Sequence, residues 1–294
     1  MSLTNFPNGV TSFGIPLVGG GSVPTDVGGY YFVDPVGGSD GNDGLSPQTA
    51  LLTIVEAVDK CVSGNGDVVL LFPGSYNETV TVNKSNMMIV GLGGRGSVFN
   101  EPSTAGAEAF QVTVDDVTFI NVGCDGDDTS SYALNLNAVS RFRAFGCKFE
   151  LGSGTGPAVL LDGTATDQCA DILFRDCEFA WAGSGILADD SAYGYVTQVF
   201  LDNCRFHNLT TVGIGVAASG LWKNLEVTDC VFDNLEDGTA PTDYVLLSDN
   251  ANTGIFSGNR FATATNATGV LTIGSGLLWV ANGTEAGFST ARPS

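Results

Sequence analysis

Carboxylates are the residues of this sequence best placed to do chemistry. Asp162, Asp189 and Asp190, with Asp249 further along, stand at the ends of apolar runs, where a strand delivers them to a surface. Hydrolysis of a glycosidic bond needs two carboxylates about 5–9.5 Å apart, one protonated and one ionised. No Lys or Arg adjoins these positions, so elimination chemistry, which needs a base beside carboxylate-bound calcium, has no local basis. Asp40-Gly-Asn-Asp43-Gly44 has the look of a calcium loop, yet the position where that loop requires Glu holds Leu51. The segment reads as a turn, as does Asp125-Gly-Asp-Asp128. The single histidine, His207, follows Phe206 and reads as an exposed rim residue rather than an acid–base group. One histidine and no Cys-x-x-Cys pair give no zinc site, and no cofactor is expected.

The elements that must position these groups announce themselves as a repeat. Phe145-Gly-Cys-Lys-Phe149, Arg175-Asp-Cys-Glu-Phe179, Asp202-Asn-Cys-Arg-Phe206, Thr228-Asp-Cys-Val-Phe232 and Ser257-Gly-Asn-Arg-Phe261 share one pattern. Its third position steps through 147, 177, 204, 230 and 259, at intervals of 30, 27, 26 and 29. A weaker relative, Val122-Gly-Cys124, comes first. Periods of this size with short β-like runs mark a solenoid. The second position is Gly146, Asp176, Asn203, Asp229 or Gly258, the residue types that tolerate a left-handed backbone, so a tight bend recurs there. Before the bend, Phe142/Ala144, Ile172/Phe174, Val199/Leu201 and Leu225/Val227 alternate as the buried face of a strand. After it, Cys and Phe alternate with an outward column of Lys148, Glu178, Arg205, Val231 and Arg260, whose signs suggest cross-strand ion pairs on a surface shared with Arg143 and Arg175. A second strand column follows at Leu134, Val159, Ile186, Ile214 and Val245.

Stacking such turns gives an all-β fold, a right-handed parallel β-helix. Earlier rungs lie at Val68–Phe72, Thr79–Val82 and Met87–Gly91. Residues 46–62 form the one convincing helix, with Ser46 as N-cap, Pro47 in the first turn, and Leu51, Ile54, Val55 and Val58 on one apolar face that covers the open end of the solenoid. The body spans 30–282, between a Gly-, Pro- and Ser-rich arm (1–29) and a tail (283–294). Seven cysteines, an odd number, read as reduced buried thiols; neighbouring rungs about 4.8 Å apart read as too distant for an undistorted disulfide.

Composition agrees. Net charge is −21 with only 11 Lys and Arg, which argues against a nucleic-acid partner. No apolar run is long enough to span a membrane. The start has neither a basic n-region nor an apolar h-region, so a signal peptide is not expected.

Phe32-Val-Asp-Pro-Val-Gly-Gly-Ser-Asp-Gly-Asn-Asp-Gly-Leu-Ser-Pro-Gln-Thr-Ala50, running into Thr53-Ile-Val-Glu-Ala-Val58, resembles the opening segment of right-handed parallel β-helix proteins of the pectate-lyase-like superfamily. That opening is common on bacteriophage tailspikes and other virion-surface proteins. The resemblance implies a structural virion protein, homotrimeric and displayed on the capsid surface after assembly in the host cytoplasm. Compact rungs and a short arm favour a capsid decoration (cement) protein, whose arm residues Phe6, Phe13, Ile15, Leu17 and Val18 would anchor it to the major capsid protein. The alternatives are a tailspike or fibre that binds or cleaves a host surface glycan, and a polysaccharide lyase or hydrolase. Catalysis is not the leading expectation, because no interval leaves room for the long loops that wall a substrate cleft. If the protein is an enzyme, Asp162, Asp189 and Asp190 are its candidates.

Overall fold

The computed structural model describes residues 11–12, 15–16, 28–94, 96–104, 106–126, 132–152, 155–163, 167–189, 195–216, 220–233, 243–247, 249–262, 271–284 and 287–289. Among them Asp190, Phe6, Phe13, Leu17 and Val18 do not occur. Ile15 lies in a two-residue strand that pairs antiparallel with Thr11–Ser12.

The chain coils into a right-handed parallel β-helix with three walls. The first wall is a sheet of ten parallel strands, from Tyr30–Val33 through Arg143–Phe145, Ala170–Arg175, Val196–Asp202 and Trp222–Thr228 to Leu277–Val280. Each rung then turns a corner into a second wall that includes Gly123–Asp125, Lys148–Glu150, Val231–Asp233 and Arg260–Phe261. A third wall follows, with Val80–Val82, Phe110–Val112, Leu134–Asn137 and Pro157–Asp162. Two twelve-residue strands, Glu178–Asp189 and Arg205–Val216, bend through both of these walls and join them into one sheet. Their bends fall at Trp181 and Asn208, both at positive φ.

The corner is where the repeat places it. Gly146, Asp176, Asn203, Asp229 and Gly258 all have φ between 51° and 71°, and Asn121 and Ala281 extend the column at either end. A second left-handed column, Asn86, Asp116, Arg141, Asp171, Gln198 and Asn224, runs along the start of the first wall; its mixed residue types hid it in the sequence. The column through Asn121 also corrects the first repeat. Cys124 pairs with Phe149, not Cys147, so Val122 stands in the cysteine column and Cys124 in the phenylalanine column.

Inside, Phe179, Phe206, Phe232 and Phe261 stack face to face, with centroids 4.6, 4.6 and 4.7 Å apart. Phe110, Phe119, Phe142 and Phe174 form a second, tilted file. Burying each ring contributes roughly 1.5–3 kcal/mol. The cysteine column ends in amides: Asn259 Oδ1 accepts from Cys230 N at 2.8 Å, and Asn282 Oδ1 accepts from Asn259 N at 2.9 Å. All seven cysteines are buried and none is in a disulfide. Backbone spacing is not what keeps neighbouring thiols apart, because about 4.8 Å lies within the Cα range that a disulfide spans.

The cap differs from the expected 46–62 helix. Ser46 caps a 3₁₀ turn, Pro47–Thr49; Leu51 then extends beside Val33. The α-helix, α1, is only Ile54–Lys60, capped by Thr53, whose side chain accepts from Glu56 N. Its first turn is completed from outside, since the Glu78 carboxylate accepts from Ile54 N (2.8 Å) and Val55 N (3.0 Å). Ile54, Ala57 and Val58 cover the core, while Val55 points to solvent. At the far end, Asn282–Thr284 pairs antiparallel with Gly287–Ser289, so regular pairing continues past 282 and ends the parallel stack with a hairpin.

Two outcomes test this architecture. Gly258→Val forces a β-branched residue to φ 71°, with its Cβ placed 2.3 Å from Asp229 Oδ1; a loss of about 1–3 kcal/mol should appear as a lower melting temperature, and an unchanged one would refute the register. Burial pushes the Cys61 thiol up to about 12 and Cys124 well above its ordinary range. Thiol titration should therefore count seven groups in denaturant, with slow reaction in the native state.

Candidate active site

The third wall turns its even-numbered and odd-numbered positions to opposite sides by the pleat. Leu134, Leu136, Val159, Leu161 and Ile186 go inward, and Asn135, Asn137, Leu160 and Asp162 go outward. Parallel registration then stacks like on like. Asn137, Asp162 and Asp189 are direct register partners on three successive rungs. Two of the three candidate carboxylates are thus neighbours, at the strand separation of about 4.8 Å. Asp190 lies outside the described residues, and Asp249 is elsewhere, where its carboxylate closes a turn by accepting from Ala251 N at 2.7 Å.

Structure adds three groups that the sequence did not suggest. Glu108 precedes the strand Phe110–Val112 and lies half-buried; its Oε1 accepts from Asn135 Nδ2 at 3.1 Å. Burial raises its pKa above the ordinary glutamate range, the Asn135 bond opposes that, and the negative charge of Asp162 adds to it. Tyr132 is the second group: its pKa is raised first by burial, then by Glu108, Asp162 and Asp189 together. The third is Asn135, whose Oδ1 is buried without a hydrogen-bond partner among the described residues, as is Asp189 Oδ1. Glu108 sits alone in Ala107-Glu-Ala109, with no spacing that marks it; only the coiling of the chain brings it within electrostatic reach of Asp162.

This constellation can move a proton. The pKa of one carboxyl, Glu108, is raised with the charge of Asp162 within electrostatic reach, the kind of asymmetry that divides acid from base among chemically similar groups. No Lys or Arg occurs in the strands Phe110–Val112, Leu134–Asn137 or Pro157–Asp162, nor in Ser184–Asp189.

The other charged positions hold the scaffold together. Asp40 accepts from Leu52 N and Thr53 N, and Asp43 from Leu45 N and Thr49 Oγ1, which makes the Asp40–Gly44 segment a turn. Lys148 pairs with Glu150 at 2.6 Å and Arg205 with Asp233 at 3.2 Å, so these ion pairs reach across to the adjacent outward column, while Arg175–Asp202 at 2.7 Å runs along a different one. His207 is not an exposed rim residue. It is buried, with Nε2 3.0 Å from Glu178 Oε1, because its strand runs on past the corner and carries it between Ala180 and Asp233.

No family model matches the sequence, and no curated protein matches it. Solved structures do. The chain is similar to a pectin methylesterase from Aspergillus niger (15% identity, 93% of this chain and 90% of that chain covered, TM-score 0.58). It is similar to an alginate lyase from a Paenibacillus species (14% identity, 79% and 83% covered, TM-score 0.58). The pectate lyase Pel9A matches at 15% identity, with 91% and 79% covered and a TM-score of 0.54. At these identities the likeness is one of fold.

The raised pKa of Glu108 has a consequence for stability. A carboxyl that holds its proton more tightly when folded contributes stability that is fully present below the unfolded pKa, near 4.5, and is lost as pH rises through the higher folded value. Glu108→Gln keeps the acceptor for Asn135 and removes the titration. The variant should melt at or above the parent at pH 7, and the gap should close by about pH 4. A variant less stable than the parent at pH 7 would contradict this.

Proposed function

We propose that the protein acts on a polysaccharide, with Glu108 as proton donor and Asp162 and Asp189 as its partner carboxylates on the outer face of the third wall. The observation that carries this reading is the convergence of Glu108, Asn135, Asp162 and Asp189, with Glu108 biased toward its acid form. Hydrolysis of a glycosidic bond uses such a pair: the acid protonates the leaving oxygen while a carboxylate attacks or activates water. The similar structures are named for pectin, alginate and pectate, which supports a polysaccharide ligand, while one scaffold carries many reactions. Elimination is disfavoured by the lack of Lys or Arg on the site's strands. A net charge of −21 repels polyuronates and favours a neutral glycan.

A second reading, a bacteriophage virion protein, is favoured by the resemblance of Phe32–Val58 alone. Under it the protein is a homotrimeric capsid decoration, held by its N-terminal arm to the major capsid protein, or a spike that brings the same carboxylates to a host glycan.

The test is turnover. Neutral bacterial surface polysaccharides, with polygalacturonate as the anionic comparison, should yield new reducing ends only in the neutral set. Glu108→Gln and Asp162→Asn should each lower the rate about 10²–10⁴-fold. No reducing ends from any polymer, or full turnover in both variants, would overturn the reading.

A further inference from the structure

The outer face of the first wall, around the body from the carboxylates, carries a cavity of about 320 Å³, at the small end of ligand-binding volumes. Its floor is apolar: Leu173 and Phe200 are register partners on adjacent rungs and both are partly exposed. Arg143 continues that column on one side and Glu226 on the other. In the next column Arg175 stands beside Asp202.

Both guanidinium groups are fixed. Arg143 donates to the Asp171 carboxylate at 2.8 Å and also to the Asp171 and Phe142 carbonyls. Arg175 donates through Nε to Asp202 Oδ2 at 2.7 Å, which among the described residues leaves both of its Nη groups to a ligand. Glu226 lines the same cavity without an ion pair among the described residues. The cavity thus offers a flat hydrophobic floor between oriented N–H donors and carboxylate acceptors. A pyranose ring has the matching surface, with an apolar face of C–H groups and hydroxyls around the edge that both donate and accept. Two arginines against Asp171, Asp202 and Glu226 leave the groove slightly negative, which excludes a uronate or other anionic sugar.

We propose that this groove is a second, non-catalytic binding site for a neutral pyranose oligosaccharide, resting on the polysaccharide reading and adding a separate hold on the same polymer. Two sites on different walls of one rigid body would engage a long chain with raised effective concentration.

Calorimetric titration of the full chain, carrying Glu108→Gln to prevent turnover, tests this with cellohexaose, mannohexaose and xylohexaose, and with hexagalacturonate as the anionic arm. At least one neutral hexasaccharide should bind. Adding Phe200→Ala or Arg175→Gln should weaken it about tenfold or more, with a cooperative melting transition retained. Adding Asp162→Asn should leave groove binding in place. Binding that survives both groove variants but is lost with Asp162→Asn would overturn the second site and leave the polysaccharide reading standing. Failure of every neutral hexasaccharide to bind would also overturn it, with the turnover assay judging the polysaccharide reading separately. Preference for hexagalacturonate would overturn the neutral assignment. A dimer in sedimentation velocity that Phe200→Ala dissociates would make the face a contact between copies instead.

Discussion

From the strand Val117–Ile120 onward, each described rung of this β-helix leaves the first wall and enters the second through one residue in the left-handed region, and that residue fixes the face each later side chain takes. Because strand side chains alternate, a corner that absorbs one residue reverses the alternation behind it. Asn121, Gly146, Asp176, Asn203, Asp229, Gly258 and Ala281 share this duty. An L-residue with a bulky side chain pays for left-handed φ, whereas Gly, Asn and Asp pay least. Ala281, at the last corner, shows that the stack below can impose the conformation on a residue that does not favour it. With the corner fixed, Phe179, Phe206, Phe232 and Phe261 have no choice but to stack at 4.6–4.7 Å.

The same registration that stacks rings in the core stacks polar groups outside. Asp162 and Asp189 are brought together because Val159, Leu161, Ile186 and Ala188 must all face inward on neighbouring rungs. Burial, reinforced by the charge of Asp162, raises the pKa of the half-buried Glu108. The chemistry therefore follows from a fold constraint plus one difference in solvation.

How much of this was legible depended on whether a feature recurs. The corner, the aromatic file and the fold stood out because five repeats carry them at one phase. The column through Asn86, Asp116, Arg141, Asp171, Gln198 and Asn224 repeats as faithfully in space, but Arg141 and Gln198 interrupt its run of Asn and Asp, so residue type alone does not mark it. Cys124 was read one phase off because a single cysteine outweighed the Asn121 corner next to it. Asp162 and Asp189 were named from their strand-end positions, whereas Glu108, Tyr132 and Asn135 gather from different parts of one and the next rung, beyond any local pattern. His207 was misread because the corner was taken to end the strand, and the strand continues. The helix was drawn too long because Leu51 has the right spacing for it, yet pairing with Val33 satisfies its backbone better.

Charge decides what kind of recognition such a surface can perform. The described cations are largely spent within the scaffold: Lys60 on Glu56, Arg141 on Asp115 and Asp116, Arg143 on Asp171, Arg175 on Asp202 and Arg205 on Asp233. With 32 acidic residues against 11 basic ones, the field beyond the surface is negative and cannot draw in an anionic polymer. At physiological ionic strength that field fades over about 8 Å, so a glycan in contact is judged by short-range terms: hydroxyls meeting fixed acceptors and donors, and C–H faces meeting exposed rings. Those are the terms that the third-wall carboxylates and the first-wall groove supply. An acidic β-helix is in this sense better suited to an uncharged sugar chain than to the polyuronates named in its structural neighbours.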